Sequence, residues 1–485
     1  MRASSPRRRT QLTASTASDI ESPTVFSDDK KKETAVGLQG DWGAIALLLL
    51  LYTLQGIPMG LGGSLPLLFV ERKVSTASQA RFSMVAYPFA FKLLWAPLVD
   101  SVYSSRFGRR KTWIVPAQAA IGALLLFSSG HIDALLGPVD GGVTDVGSLT
   151  SLFFAFYFLA ATQDIAVDGL ALTILSERNR EMGATCNAIG QTMGFFVAYV
   201  GFMALNHYGL VTLGSFMAFW GWIFLASTIW VLSVKKDEHT APAGSISGEL
   251  FDAYREMLSV LKRPPVQSFA LVLLTCKMGL AAFDALVPLE LQSAGVPKEK
   301  LAMLTTVMMP ISMAAQAYVS KWTSGEGSRP LSLWLGAYQG RLAVGAMLIL
   351  LVRAINAATV GGASIPTWIY GLGLVASGLS AVVSAVMFVA QMAFFNQVSD
   401  PKIGGTYMTM LNTLSNLGGQ WPGTVILATK AAIEDWPTPV DSFMVVTSGS
   451  LLLGLAWLAL MSGRIDQLQK RPLKDWHTSA KDEDK

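Results

Sequence analysis

Six charged side chains fall inside stretches that are otherwise apolar: Lys92, Asp164, Asp168, Lys277, Asp284 and Arg341. A charge near the centre of a bilayer costs about 2.5–3.5 kcal/mol on insertion scales, so it faces a protein interior or a water-filled path. Asp164 and Asp168 stand four apart and share one helical face. Two carboxylates that close in a low dielectric need a proton or a cation between them. Lys92 and Arg341 are candidate partners that would hold helices in register. The same groups would equally serve an anionic solute, and the residues alone leave both readings open.

Uncharged polar residues extend the set. Gln163 precedes Asp164, Gln55 lies in the first apolar stretch, and Gln191 and Asn412 carry amides in the fifth and eleventh. Amides facing one cavity would grip a polar solute, and the same amides bonded between helices would only fasten them. Tyr87, Trp95, Tyr407 and Trp421 offer faces for stacking a base, with packing as the plainer reading. Asp100 with Arg109 and Arg110 reads as a carboxylate–guanidinium latch at a helix end, or as a basic anchor. Other chemistries are poorly supplied. No GxxxxGK[ST] phosphate loop is present. His131, His207, His239 and His477 are scattered, so neither a metal cluster nor an activated nucleophile is indicated. No enzyme activity, cofactor, metal or nucleic-acid partner is expected.

The elements that position these residues are membrane helices. Of the residues, 52% are hydrophobic and 14% charged, against about 25% charged in soluble domains. About twelve apolar stretches reach the ~20 residues that cross a hydrocarbon core. They cover 44–70, 80–103, 112–130, 149–175, 183–205, 213–234, 266–292, 300–321, 332–353, 365–395, 404–431 and 441–462. Helices satisfy their own backbone in lipid, so an all-α polytopic fold is expected, with the lipid bilayer as its partner. Arg106, Arg109, Arg110 and Lys111 crowd one loop, while 131–148 holds no Lys or Arg, which predicts both termini in the cytosol. Residues 1–42 read as a disordered tail without a signal peptide. Six spans fill 43–235, a linker with an amphipathic helix at 248–262 fills 236–265, six more fill 266–463, and 464–485 read as a frayed cytosolic tail. Cys186 and Cys276 lie within spans, so no disulfide framework is expected.

The two sets of six are copies. Pro66 and Pro288, Val74 and Val296, and Pro88 and Pro310 are each 222 positions apart. Gly183-Ala184-Thr185 and Gly404-Gly405-Thr406 match at 221, as do Gln191 and Asn412. Parallel repeats of this kind place a substrate site at the interface between halves. Lys277 then falls opposite Gln55, on the first span of its half, where both would line a cavity. Lys277 is therefore read as the substrate-binding cation, helped by Lys92 or Arg341. Gly56, Gly60 and Ser64, and Gly190 and Gly194, form small-residue stripes suited to close helix packing.

Asp100 followed by Phe107-Gly108-Arg109-Arg110-Lys111 resembles the loop of the major facilitator superfamily written GxxxDRxGRR. Here Gly108 lies eight positions after Asp100, further than in that pattern, and the leading Gly is missing. Longer texts resemble the acetyl-coenzyme A transporters of the endoplasmic reticulum and Golgi: LYTLQGIPMGL (51–61), KLLWAPLVD with FGRRKTW (92–113), LAATQDIAVDGLALTILS (159–176), GVPKEKLA (295–302) and VSDPKIGGTYMTMLNTLSNLGGQWP (398–422). The resemblance covers about 45–465. It implies carriage of acetyl-CoA from cytosol to lumen by alternating access, in an endoplasmic reticulum or Golgi membrane. The residues read as substrate-binding are Lys277, Lys92, Arg341, Gln55, Gln163, Asp164, Asp168, Gln191, Asn412 and Tyr407, and those read as the gating latch are Asp100, Arg109 and Arg110. Bacterial muropeptide permeases share APLVD, FGRRK and TQDIAVD, so a bulky anionic muropeptide is the alternative cargo, and a transporter-like receptor without flux is a third reading. Acetyl-CoA carries about four negative charges near neutral pH, from a diphosphate and a phosphate monoester. Oligomeric state and coupling to protons or to CoA exchange are left open.

Overall fold

The computed structural model describes residues 40–477 except 105–106, 140–141, 177–178, 180–181, 234–245, 324–327, 360–364, 400–403 and 438–439. The expected N-terminal tail, the Lys235–Glu238 charge run and residues 478–485 lie largely or wholly outside the described set. The described residues are helical throughout their ordered elements. The first half runs α1 (Trp42–Glu71), α2 (Thr76–Phe82), α3 (Tyr87–Phe91), α4 (Ala96–Ser101), α5 (Lys111–Ser129), α6 (Ile132–Leu136), α7 (Val146–Ile174), α8 (Met182–Phe196), α9 (Phe202–His207) and α10 (Leu213–Ser233). A linker helix α11 (Ile246–Leu261) follows. The second half runs α12 (Pro264–Thr275), α13 (Ala281–Ser293), α14 (Lys298–Thr323), α15 (Pro330–Ala358), α16 (Thr367–Val398), α17 (Gly404–Glu434) and α18 (Ser442–Lys470).

Among the described residues, ten spans are long and apolar enough by themselves to cross a membrane. The two remaining expected spans, α2–α4 and α17, fall outside that set for different reasons. The polar NTLSNLGGQ text lowers the hydropathy of α17. The second span, expected as one helix over 80–103, is instead three short helices joined by 3₁₀ turns at Ser83–Ala86 and Lys92–Leu94. Pro88 and Pro97 supply the reason, since each lacks the N–H that the carbonyl four residues earlier requires. One carbonyl in this break, that of Leu94, accepts a hydrogen bond from the hydroxyl of Tyr254 on α11.

The repeat is visible in the element bounds. Trp42 and Pro264, Glu71 and Ser293, Thr76 and Lys298, Ser101 and Thr323 are helix ends separated by the same 222 positions as the prolines. Pro66 and Pro288 each sit five residues before a helix end. The copies have diverged locally: α1 is continuous where the seventh span breaks into a 3₁₀ turn at Cys276–Gly279, and α14 is continuous where the second span breaks.

Within the first half, α1 and α8 cross at backbone contact. A Cβ on Gly194 would lie 1.9 Å from the Thr53 carbonyl oxygen, and one on Gly56 2.4 Å from that of Gln191. The small-residue stripes are thus a packing device, as their spacing implied. Asp41, just ahead of α1, accepts hydrogen bonds from Ser176 Oγ (2.6 Å) and Asn179 Nδ2 (2.7 Å), tying the first span to the end of the fourth. These bonds, that from Ser176 foremost, hold its carboxyl below the usual range.

The C-terminal segment departs from the expectation of a frayed tail. After α18 the chain folds back through a 3₁₀ turn at Leu473–Asp475 and buries Trp476 completely. Its indole meets Phe394 and Phe269 edge-on, with ring centroids at 5.5 and 6.1 Å. An aromatic side chain of this size gains too much from leaving water for a polar flank to hold it out.

The halves also touch. At the end remote from the termini, called the distal end here, Gln292 Nε2 donates to the Leu67 carbonyl (2.8 Å) and Lys298 Nζ meets Glu71 (2.6 Å). His207 Nδ1 lies 3.2 Å from Glu299 at the same end. The second span lies against α17 from the distal end to its middle, and toward the termini face α11 packs on α4 and α17.

Candidate functional site

The broken second span positions Lys92. Its 3₁₀ turn directs the ammonium to Asp164 of α7, a carboxylate only 2% exposed, with Asp168 at 3.8 Å. Asp164 also accepts from Gln191 Nε2 (3.1 Å), and Asp168 from Tyr52 Oη (2.8 Å) and Asn187 Nδ2 (3.1 Å). Helices α7 and α8 run antiparallel, so carboxylates spaced i, i+4 on one meet amides spaced i, i+4 on the other. Four spans are thereby joined at one lysine. The Asp164 side of the cluster is enclosed, while the Asp168 side chain remains 44% exposed.

Arg341 forms a second, separate pair. It meets Asp284 at 2.5 Å and donates to Ser384 Oγ on α16. Lys277 belongs to neither cluster. It sits on the 3₁₀ turn of the seventh span, and no carboxylate among the described residues lies within ion-pair distance. Its ammonium rests against α17, where a Cβ on Gly419 would come within 3.0 Å of Nζ. The adjacent Gly418 admits the backbone of α12 at Leu273, and Trp421 Nε1 donates to the Leu274 carbonyl (2.9 Å), one of the carbonyls a helix end leaves unsatisfied. The NLGGQWP text therefore builds the seat of the seventh span beside Lys277.

Some expected site residues are not brought together. Lys92 and Arg341 are each committed to a carboxylate, so they do not join Lys277 in one phosphate site. Gln191 is bonded to Asp164, whereas Asn412, its repeat mate, is half-buried on α17. Gln55 reaches the Ala160 carbonyl at 3.4 Å, and both ends of the fully buried Gln163 amide lack a partner among the described residues. Tyr407 is a correction: it is fully buried, and its hydroxyl donates to the Trp476 carbonyl at 3.3 Å, within the core of the second half. Tyr52, Asn187 and Ser384 were missed. Asn187 carried a readable signal, standing four before Gln191 just as Asp164 stands four before Asp168.

At the termini face, Arg110 pairs with Asp100, and Arg109 Nε donates to the Asp100 carbonyl at 2.7 Å. The Arg110 guanidinium lies over Gly169, where a Cβ would meet Cζ at 2.1 Å. The pair thus fastens the second and third spans onto the fourth, next to Asp168, within one half. Toward the distal end, past Asp284, a cavity of about 360 Å³ opens between the halves.

A chain with paired charges inside its spans, a solvent-reachable carboxylate and a cavity at a two-half seam has the parts of a solute pathway. The sequence profile of a family described as acetyl-coenzyme A transporter 1 matches residues 44–247 and 243–435. An uncharacterised protein of Schizosaccharomyces pombe is 32% identical over 403 residues, which are 79% of this chain and 73% of that one. An uncharacterised membrane protein of Saccharomyces cerevisiae is 30% identical over 82% of this chain and 85% of its own. The anhydromuropeptide permease of Escherichia coli K12 is 30% identical over a shorter stretch, 32% of this chain and 30% of that one. Among solved structures, a nucleoside transporter superposes with a TM-score of 0.60 at 14% identity, covering 86% of this chain and 99% of that one. A bacterial homologue of the human lysosomal transporter Spinster, in an inward-facing unoccupied state, gives 0.57 at 13% identity over 89% and 98%. At such identities the solved structures show the fold alone, an all-helical multi-span fold that the chain shares with them. The chain is a multi-pass membrane transporter rather than an enzyme, and it belongs to the acetyl-coenzyme A transporter family.

Proposed function

We propose that the chain carries acetyl-CoA from the cytosol into the lumen of the endoplasmic reticulum or Golgi by alternating access. The observation that carries this reading is Lys277. An ammonium in the middle of a span is costly without a counter-charge. Lys92 and Arg341 have theirs from Asp164 and Asp284, and Lys277 has none among the described residues. A phosphate of the solute supplies it, and the family's own name specifies the solute that brings one. The basic loop at Arg109, Arg110 and Lys111 supports a cytosolic termini face. The closed contacts at the distal end fit a state that loads from the cytosol, and in that state Asp100 and Arg110 are paired within the first half.

Uptake of labelled acetyl-CoA into proteoliposomes tests this. Acetyl-CoA and CoA should compete with the label, and an anhydromuropeptide should not. Uptake blocked by the muropeptide but not by CoA would move the assignment to the permease-like cargo, which the partial match to the Escherichia coli protein keeps as the second reading. Binding without uptake would favour a receptor.

A further inference from the structure

The polar text that lowers the hydropathy of α17 has a pattern. Asn412, Asn416 and Gln420 stand four apart, so their amides form one stripe along the helix. Leu427, about three turns beyond Asn416 on the same face, lines the cavity between the halves. Val425, on the opposite face, is 48% exposed, an apolar side chain suited to lipid. The stripe therefore faces the seam. Asn416 is exposed there rather than to lipid, where an unbonded amide would be costly. Asn412 and Gln420 are half-buried, and none of the three amides has a hydrogen-bond partner among the described residues. Gly419, next to Gln420, is where the Lys277 ammonium rests. The 221-position offset that pairs Gln191 with Asn412 also pairs Phe195 with Asn416 and Tyr199 with Gln420. Those two rings stack at 5.5 Å and line the seam cavity from the first half. One cation, a row of unbonded amides and an aromatic wall thus border one path.

We propose that Asn416 and Gln420, with Asn412, bind the adenine of acetyl-CoA, so that this face of α17 sets a preference among bases. The assignment rests on the substrate reading above and deepens it. Asn or Gln places a donor and an acceptor against N6 and N7 of adenine, and aromatic rings stack on the face of a base. The diphosphate and the phosphate monoester of acetyl-CoA are both attached to the adenosine ribose. A phosphate at Lys277 therefore brings the base to the neighbouring turns of α17. Among the neutral groups of this solute, the base alone is a rigid plane with a donor beside an acceptor on one edge.

The test is equilibrium competition on the full-length protein in lipid nanodiscs. The probes are acetyl-CoA, adenosine 3′,5′-bisphosphate, inosine 3′,5′-bisphosphate, whose base carries an oxygen in place of the N6 amine, and 4′-phosphopantetheine. Wild type should bind the adenosine bisphosphate about tenfold more tightly than the inosine one. Asn416→Leu should weaken acetyl-CoA and the adenosine bisphosphate about tenfold, abolish the preference over inosine, and leave phosphopantetheine unchanged. Gln420→Leu should act in the same direction, and Val425→Ala on the opposite face should change none of the four. Retained phosphopantetheine binding reports that each variant is folded, and the wild-type comparison of the two bases needs no variant. Equal binding of the two bisphosphates by wild type would overturn the assignment. So would folded amide variants that keep the preference for adenine, or that weaken phosphopantetheine as much as the bisphosphate. Wild type that binds neither acetyl-CoA nor the adenosine bisphosphate would overturn the acetyl-CoA reading itself, and this assignment with it.

Discussion

Lys92 and Lys277 are both mid-span lysines on 3₁₀ turns, and their surroundings give them opposite roles. Lys92 neutralises an enclosed carboxylate. Lys92→Met should strand Asp164 and cost about 3–5 kcal/mol, as breaking a buried pair does, and would show as a large fall in melting temperature. Lys277 is held by no carboxylate among the described residues, so Lys277→Gln should leave melting nearly unchanged. It should instead weaken acetyl-CoA binding about tenfold, since a hydrogen bond to a charged group is worth about 1.5–3 kcal/mol. Lys277→Arg should keep part of the affinity. A normal affinity in a folded Lys277→Gln protein would remove the residue from the substrate path. Which charges lay inside spans was legible in the sequence, because insertion cost makes every such residue conspicuous. Which charge pairs with which was only half legible. Asp164 and Asp168 invited a cation, but the choice of Lys92 over Arg341 depends on how the second span breaks at Pro88 and Pro97, a tertiary matter that hydropathy does not encode.

At the scale of elements, two kinds of glycine separate cleanly. Gly194 lets α1 and α8 touch, and its missing Cβ would collide with backbone rather than with a movable side chain. Gly194→Ala should therefore cost several degrees of melting temperature, whereas Gly449→Ala on α18, with open space around it, should be neutral or stabilising by about 1 kcal/mol. If both substitutions behave alike, the α1–α8 contact is not as close as described. The Asp100–Arg110 pair belongs to this scale too, because it joins three spans at the termini face. Asp100→Asn should reduce transport while expression and melting hold, and wild-type flux in that variant would demote the pair to an anchor. The helices themselves were readable to within a few residues from apolar length, and the repeat from the proline offsets. The broken second and seventh spans were not, since a window average counts apolar residues and is blind to a missing N–H.

For the whole molecule, the distal contacts hold the two halves together at one end. Glu71 and Lys298 form the most direct of these, a cross-half ion pair at 2.6 Å. Lys298→Glu sets two carboxylates against each other and should slow uptake by depopulating the distally closed state. Glu71→Lys with Lys298→Glu restores an ion pair and should recover much of the rate. A double variant no better than the single one would show that the pair does not govern the equilibrium.

Trp476 sets a timetable for synthesis. Domains fold as units, the N-terminal one first while the chain is still being made. The first six spans contain all the partners of the Lys92 cluster and can finish early. The second half finishes later, because Phe269 and Phe394 wait for the Trp476 indole and Tyr407 for its carbonyl, and both follow the last span. Chains that stop short of Pro472 should accumulate with a sound first half and an open second one, the form that membrane quality control is built to catch.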